Sequence, residues 1–206
     1  MVRAMNNVDA IILAGGLSRR MGAQNKLLLD WGGVPIIRKV VQTYLDTNIA
    51  QVTVVTGFEA GRVQEALNDL PLHWCHNPAF EQGQNTTVAA GLRQPSDADV
   101  TLIGLGDQPL LEPADLRALL DLHFASDPHK ISIPVDGDKR GNPVVLPNGL
   151  RPRLLENRAQ PGCKRFIQMN SEFVQRQSLS AAGFYTDIDT PEIYAHHQGD
   201  PHEISH

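Results

Sequence analysis

The chain of 206 residues has little of what marks several large protein classes. It carries only two cysteines, Cys75 and Cys163, neither in a C-x-x-C pair, which argues against a disulfide framework and a cysteine-built zinc site. Basic residues are in the minority, 18 Lys and Arg against 23 Asp and Glu for a net charge of -5. General attraction to nucleic acid is therefore not expected, and any anionic ligand must be held by local cation clusters. No apolar run approaches the ~18 residues that span a bilayer, and the opening segment from Met1 to Asn7 lacks the apolar core of a secretory leader. These absences predict a soluble, cytoplasmic protein with no membrane or nucleic-acid partner. Internal repeats and low-complexity blocks are missing too. So are both well-known glycine motifs, G-x-x-x-x-G-K-[S/T] and G-x-G-x-x-G, which weakens P-loop hydrolysis and dinucleotide binding.

What is present is a 41% hydrophobic chain whose length suits one ordinary α/β domain. Apolar, β-branched runs read as strands at 8–13, 51–56, 72–76 and 100–105, and helical spacing covers 35–45, 59–69, 84–92 and 112–124. Pro35 and Pro113 suit first helical turns. Strict alternation of the two types predicts a mainly parallel sheet covered on both faces. Beyond 124 the alternation weakens. Strands at 130–135 and 142–146 flank a polar turn, short helices follow at 150–156 and 163–169, and a last strand covers 173–177. His196, His197, His202 and His206 sit among Gln, Gly, Asp and Pro, the company of a disordered tail (196–206) rather than a metal tract.

The chemistry concentrates in three places. L-A-G-G-L-S-R-R-M-G-A-Q-N-K, residues 13–26, follows the first strand and combines Gly15, Gly16 and Gly22 with Ser18, Arg19, Arg20 and Lys26. Glycine lets backbone amides approach a ligand closely, and successive amides in such a turn form an anion-binding concavity. Asp107, in G-D-Q-P, stands at the carboxyl end of the strand at 100–105, where open α/β sheets bind ligands. It lies too far ahead of the helix near Glu112 for a simple cap. A carboxylate there suits Mg2+, which favours one or two carboxylates plus phosphate oxygens and water. Asp187 and Asp189, in D-I-D-T-P-E, share one face of an extended segment, with Pro191 at the start of a helix; a cap role for Asp189 or Thr190 stays open.

Further polar loops supply candidate contacts. Asn77, Pro78, Phe80, Gly83, Gln84, Asn85, Thr86 and Thr87 follow the third strand, placed to reach a base edge; Thr86 and Thr87 serve equally as helix N-caps. R-G-N-P at 140–143 and P-G-C-K-R at 161–165 offer cations to an acceptor, and a solvated charged turn explains 136–140 nearly as well.

These strings, in order from residue 11 to about 194, resemble the small nucleotidyltransferases. The match is to L-A-[A/G]-G-x-S-x-R-M-G followed by Lys, G-D-[Q/M]-P, N-P-x-[F/Y]-x-x-G, R-G-[N/H]-P and D-[I/V]-D-T-P-[E/D]. Within that superfamily the chain is most similar to the molybdenum cofactor cytidylyltransferases, with the guanylyltransferases of the same cofactor as close relatives. The resemblance implies a three-layer, Rossmann-like nucleotidyltransferase fold in one domain, residues 1–195, with a small β-rich C-terminal extension. It implies CMP transfer from CTP to the terminal phosphate of molybdopterin, pyrophosphate release, and delivery of the product to a molybdenum hydroxylase. Lys26, Arg20 and Asp107 would be catalytic, and Mg2+ (or Mn2+) would be held by Asp107 with Asp187 or Asp189. Nucleotide contacts are implied for Leu13, Ala14, Gly15, Gly16, Ser18, Arg19, Arg20, Met21, Gly22, Lys26, Gly57, Asn77, Gly83, Thr86, Thr87 and Asp107. Acceptor contacts are implied for Gln108, Pro109, Arg140, Gly141, Asn142, Pro143, Gly162 and Lys164. Gly15 stands where cytidylyl enzymes often have alanine, which keeps GTP open as the nucleotide. A reductase-like relative binding a nicotinamide nucleotide, and a cofactor-delivery chaperone, are the competing readings.

Overall fold

A computed structural model describes residues 7–22, 24–156 and 163–198. Strand β1 (Val8–Ala14) is followed by a hairpin of two short strands, β2 (Asp30–Trp31) and β3 (Val34–Pro35), and by helix α1 (Ile36–Leu45). Then come β4 (Gln51–Thr56), α2 (Ala60–Glu65), β5 (His73–His76), α3 (Gln84–Leu92), β6 (Val100–Leu105) and α4 (Pro113–Ala125). The C-terminal part holds β7 (Ile131–Asp136), β8 (Lys139–Arg140), β9 (Val144–Pro147), α5 (Arg151–Glu156), α6 (Cys163–Met169), β10 (Val174–Ser178) and α7 (Pro191–Gln198).

All strands except the hairpin join one sheet in the order β10-β7-β9-β6-β1-β4-β5, with β8 adding to β7. β1, β4, β5 and β6 run parallel. β9 enters antiparallel between β6 and β7, and β10 runs parallel to β7. The expected β-rich extension is thus a continuation of the main sheet. β1 is central and apolar on both faces because alternate side chains feed two separate cores. Ala10, Ile12 and Ala14 pack with Ile36, Val40, Val41 and Tyr44 of α1 and with Leu116 and Leu119 of α4. Ile11 and Leu13 face the other way, toward Val88 and Leu92 of α3, Leu154 of α5 and Ile167 of α6.

Three expectations shift in detail. Pro35 sits outside the first turn of α1: it is the extended N-cap residue (φ -61, ψ 144) because it pairs with Asp30 in the hairpin. The helix expected over 59–69 stops at Glu65 and continues as turns. His196 and His197 belong to α7, while His202 and His206 lie outside the described residues. α7 is fastened to the hairpin, since the Tyr194 hydroxyl and the Gln198 amide both donate to the Asp30 carbonyl, at 2.7 and 2.6 Å. Pro113 does open α4, whose capping box is formed by Glu112 and Asp115, so Asp107 is free of any capping duty.

Candidate active site

The carboxyl ends of β1 and β6 lie side by side, and the Gly106 amide donates to the Leu13 carbonyl at 3.0 Å to carry the pairing one step beyond the strands. A Cβ on Gly106 would meet that carbonyl at 3.0 Å and Ile37 Cδ1 at 2.8 Å, so a residue without a side chain fits here. The loop after β1 turns at Ser18, which adopts the left-handed conformation (φ 51) uncommon outside glycine. Its hydroxyl accepts the Lys26 amide at 3.2 Å, and buried Asn25 caps the short helical turn Lys26–Leu28 by accepting the Leu27 amide at 3.1 Å. These local bonds fix where Lys26 starts. Its ammonium bonds both Asp107 Oδ2 and Asp189 Oδ1, the latter at 2.5 Å. Arg20 reaches the other Asp189 oxygen at 2.8 Å. The segment carrying Asp187 and Asp189 is brought in by the Ile188 amide, which donates to the Asp107 carbonyl at 2.9 Å.

The charges are strongly coupled. Burial works to lower the Lys26 pKa, yet the Asp107 and Asp189 carboxylates outweigh it and hold the ammonium above its ordinary value. Burial likewise works against Asp189, and Lys26 with Arg20 reverses the sign, leaving that carboxyl below its usual range. Asp187 goes the other way: burial, then the like charges of Asp107 and Asp189, push it up to about 6 despite a bond from the Gln108 amide at 2.8 Å. Asp107 Oδ1 is buried and accepts no hydrogen bond in the described structure.

Around this cluster opens a cleft of about 420 Å³. It is lined by the glycine loop (Leu13, Gly15, Gly16, Leu17, Ser18, Arg19, Arg20), by Phe80, Glu81, Gly83, Gln84 and Thr87, and by Lys26, Leu27, Leu105, Asp107, Asp187 and Asp189. A second cavity of about 340 Å³ shares Leu13, Gln84, Leu105 and Asp187 with the first and extends to Arg140, Gly141, Asn142, Cys163 and Lys164. Burial pushes the Cys163 thiol up to about 12, against the opposing influence of Arg140, so it stays a neutral thiol.

A family model for the MobA-like NTP transferase domain matches residues 10–177. The chain belongs to this family. Among curated relatives, bifunctional protein GlmU of Coxiella burnetii is 35% identical over 115 residues, 55% of this chain and 25% of that protein. The chain thus spans about a quarter of the length of that relative. Nicotine blue oxidoreductase of Paenarthrobacter nicotinovorans is 26% identical over 193 residues, 90% of this chain and 93% of that protein. Among solved structures, a nucleotidyl transferase from Methanothermobacter thermautotroptrophicus superposes with a TM-score of 0.81 at 24% identity, covering 93% of this chain and 96% of that one. The fold is therefore the Rossmann-like nucleotidyltransferase fold.

The expected contact set of this MobA-like NTP transferase divides into residues that line the cavities and residues that support them. Leu13, Gly15, Gly16, Ser18, Arg19, Arg20, Lys26, Gly83, Thr87 and Asp107 line the first cleft, and Arg140, Gly141, Asn142 and Lys164 line the second. Ala14, Met21, Gly22, Gly57, Asn77 and Thr86 line neither. Asn77 is buried, donating to the Thr86 and Thr87 hydroxyls at 2.9 and 3.0 Å, and so sets the position of Thr87 from behind. Thr86 is also no N-cap: Gly83 holds that position, and the Thr86 hydroxyl bonds back to its carbonyl at 2.8 Å. Gly57 packs under Phe80. Gln108, Pro109 and Pro143 are buried and line neither cavity, and the Gln108 amide donates to the Phe184 carbonyl and to Asp187. Gly162 lies outside the described residues. Leu17, Leu27, Glu81 and Leu105 are lining residues that motif reading did not single out as contacts, and Phe80, named with its loop, lines the cleft as well. Phe80 stands at the aromatic position of N-P-x-[F/Y]-x-x-G, the one signal that marked it.

The expected metal site asks for Asp107 with either Asp187 or Asp189, two carboxylates rather than three. Among the described residues no group of three His, Cys, Asp or Glu side chains is placed to hold one ion; Lys26 and Arg20 bond Asp189, and Gln108 bonds Asp187. A hard divalent ion that takes most of its ligands from phosphate and water needs fewer protein oxygens. The partnerless buried oxygen of Asp107, with Asp187 or Asp189 beside it, fits that smaller demand.

Proposed function

We propose that this MobA-like NTP transferase transfers CMP from CTP to the terminal phosphate of molybdopterin, releasing pyrophosphate, and passes the product to a molybdenum hydroxylase. The carrying observation is that Lys26, Arg20, Asp107 and Asp189, distant in sequence, meet in one cleft whose wall is continuous with a second, cation-bearing cavity. The first cleft suits a nucleoside triphosphate and the second an anionic acceptor. An acceptor phosphate oxygen attacks the α-phosphorus, the bond from that phosphorus to the bridging oxygen breaks, and pyrophosphate departs with the electron pair. The acceptor is already an anion, so no protein nucleophile is required.

Catalysis on this reading is positioning and charge neutralisation. The amides of the glycine loop cradle the phosphates, and Arg20 and Lys26 stabilise the charge gathering on the leaving group. Gln84 and Asn85, at the start of α3 between the two cavities, read polar edges of the ligands. Mg2+ or Mn2+, held by Asp107 with Asp187 or Asp189, would supply further neutralisation of the phosphates when bound.

Pyrophosphate release measured with Mg2+, molybdopterin and either CTP or GTP tests the reading. Release with CTP supports the cytidylyl transfer, release with GTP alone moves it to the guanylyl activity that Gly15 leaves open, and none with either overturns it. The full-length similarity to nicotine blue oxidoreductase supports a second reading, a nicotinamide nucleotide in the same cleft. Tight NADPH or NADH binding without pyrophosphate release would favour it.

A further inference from the structure

We infer that Lys26 is the resident counter-cation of the Asp107–Asp189 pair, so that the divalent ion enters the cleft with the nucleotide and not ahead of it. This rests on the metal-dependent transfer reading above but draws on different contacts. Asp107 Oδ2 and Asp189 Oδ1 share the Lys26 ammonium, Asp189 Oδ2 holds Arg20 at 2.8 Å, and Asp187 Oδ1 holds the Gln108 amide at 2.8 Å. Two side-chain cations thus already balance two carboxylates. A bare divalent ion would meet one buried, partnerless oxygen, Asp107 Oδ1, with an ammonium touching the same carboxylate. It would also have to shed water without phosphate oxygens to replace it, and magnesium dehydrates reluctantly.

A triphosphate changes both terms together. Lys26 and Arg20 line the same cleft as the glycine loop, so phosphate oxygens compete directly for them. Lys26 is an ammonium on a flexible four-carbon stem and changes partners by side-chain rotation alone. As it moves to phosphate, Asp107 and Asp189 lose their counter-ion just where the metal-bound phosphates arrive. A purely structural ion pair would predict the opposite of a gain when Lys26 is removed: a loosened site and no improvement in metal affinity.

Mn2+ titration followed by the electron paramagnetic resonance signal of the free ion reads this directly, without turnover. The wild-type protein should bind Mn2+ alone about tenfold or more weaker than in the presence of an α,β-non-hydrolysable CTP analogue. Lys26→Met should bind Mn2+ alone about tenfold or more tighter than wild type, since a cation beside a carboxylate changes its affinity for another cation by roughly one to three powers of ten. Lys26→Gln repeats the test if the methionine variant misfolds, and Lys39→Met, which breaks the outlying Lys39–Glu112 pair, should change nothing. Equal wild-type affinity with and without the analogue when the analogue itself binds, or no gain in Lys26→Met and Lys26→Gln, overturns the inference. The metal-alone comparison contains no nucleotide, so failure of the CTP reading appears separately, as absent analogue binding with the Lys26 gain intact.

Discussion

Asp107 has two oxygens in different circumstances, one bonded to Lys26 and one buried without a partner. Replacing it by asparagine keeps the volume and removes the charge. Pyrophosphate release by Asp107→Asn should fall by about 10²–10³ or more, the usual cost of one lost electrostatic contact to a reacting group, with the thermal midpoint little changed; near-normal release would discard Asp107 as a catalytic group. Gly15 is the second residue whose effect is decided by geometry. A Cβ there would meet Thr87 Oγ1 at 2.9 Å and Cγ2 at 3.2 Å, and Thr87 is anchored by Asn77 at 3.0 Å. Gly15→Ala should therefore raise the nucleotide KM several-fold, and Thr87→Ala in the same chain should recover part of the loss, a coupling of about 0.5–3 kcal/mol for contacting residues. At this scale the sequence displayed which residue types were available but not who bonds to whom. Lys26, Arg20, Asp107 and Asp189 were all legible as candidates from their motifs. That Lys26 would be taken up by two aspartates, and Gln108 by Asp187, depends on side-chain directions set only by the finished fold.

Helix α3 lies tight on β1 and β4 at one position. A Cβ on Gly91 would meet Ile11 Cγ2 at 2.6 Å and Val55 Cγ2 at 3.0 Å, both branched close to the backbone and unable to swing away. Alanine would improve helix propensity by roughly 1 kcal/mol, but overpacking costs about 1–3 kcal/mol. Gly91→Ala should thus lower the melting temperature, and because Gln84, Thr87 and Val88 ride on the same helix, nucleotide affinity should fall with it. A melting temperature at or above that of wild type would show that α3 has room to move. Elements carrying a full period of their pattern were legible: the β-branched runs of β1, β4 and β6 and the amphipathic α1 fall where spacing placed them. The hairpin Asp30–Trp31 with Val34–Pro35 and the pair Lys139–Arg140 were not, since two residues carry no periodicity. The insertion of β9 antiparallel between β6 and β7 was equally hidden, because strand order depends on contacts distant in sequence.

For the whole molecule, the group to watch in acid is His123. It is fully buried, its Nδ1 lies 2.8 Å from the Ser132 hydroxyl, and Nε2 has no partner in the described structure. Burial, only partly opposed by Asp127, depresses its pKa from 6.5 to about 4. The unfolded chain therefore takes up the proton first, and stability is lost as pH falls from the unfolded value toward the folded one, by on the order of 3 kcal/mol. Asp187, raised to about 6, takes up its proton first in the folded state and works in the opposite sense. The histidine's share is accordingly read as a difference: between pH 6.5 and 4, denaturation midpoints of His123→Gln should decline less than those of wild type. Parallel declines would mean that His123 titrates in the folded protein as it does in the unfolded one.

The fastening of α7 to the Asp30 carbonyl has a mechanical outcome. Asp30 follows the turn that starts at Lys26, and α7 starts two residues after Asp189, so the strap and the Lys26–Asp189 bond tie the same two stretches of chain together twice. Whatever peels the last helix from the hairpin also slackens the grip between those charges, which makes the far C-terminal turn a remote tensioner of the cleft.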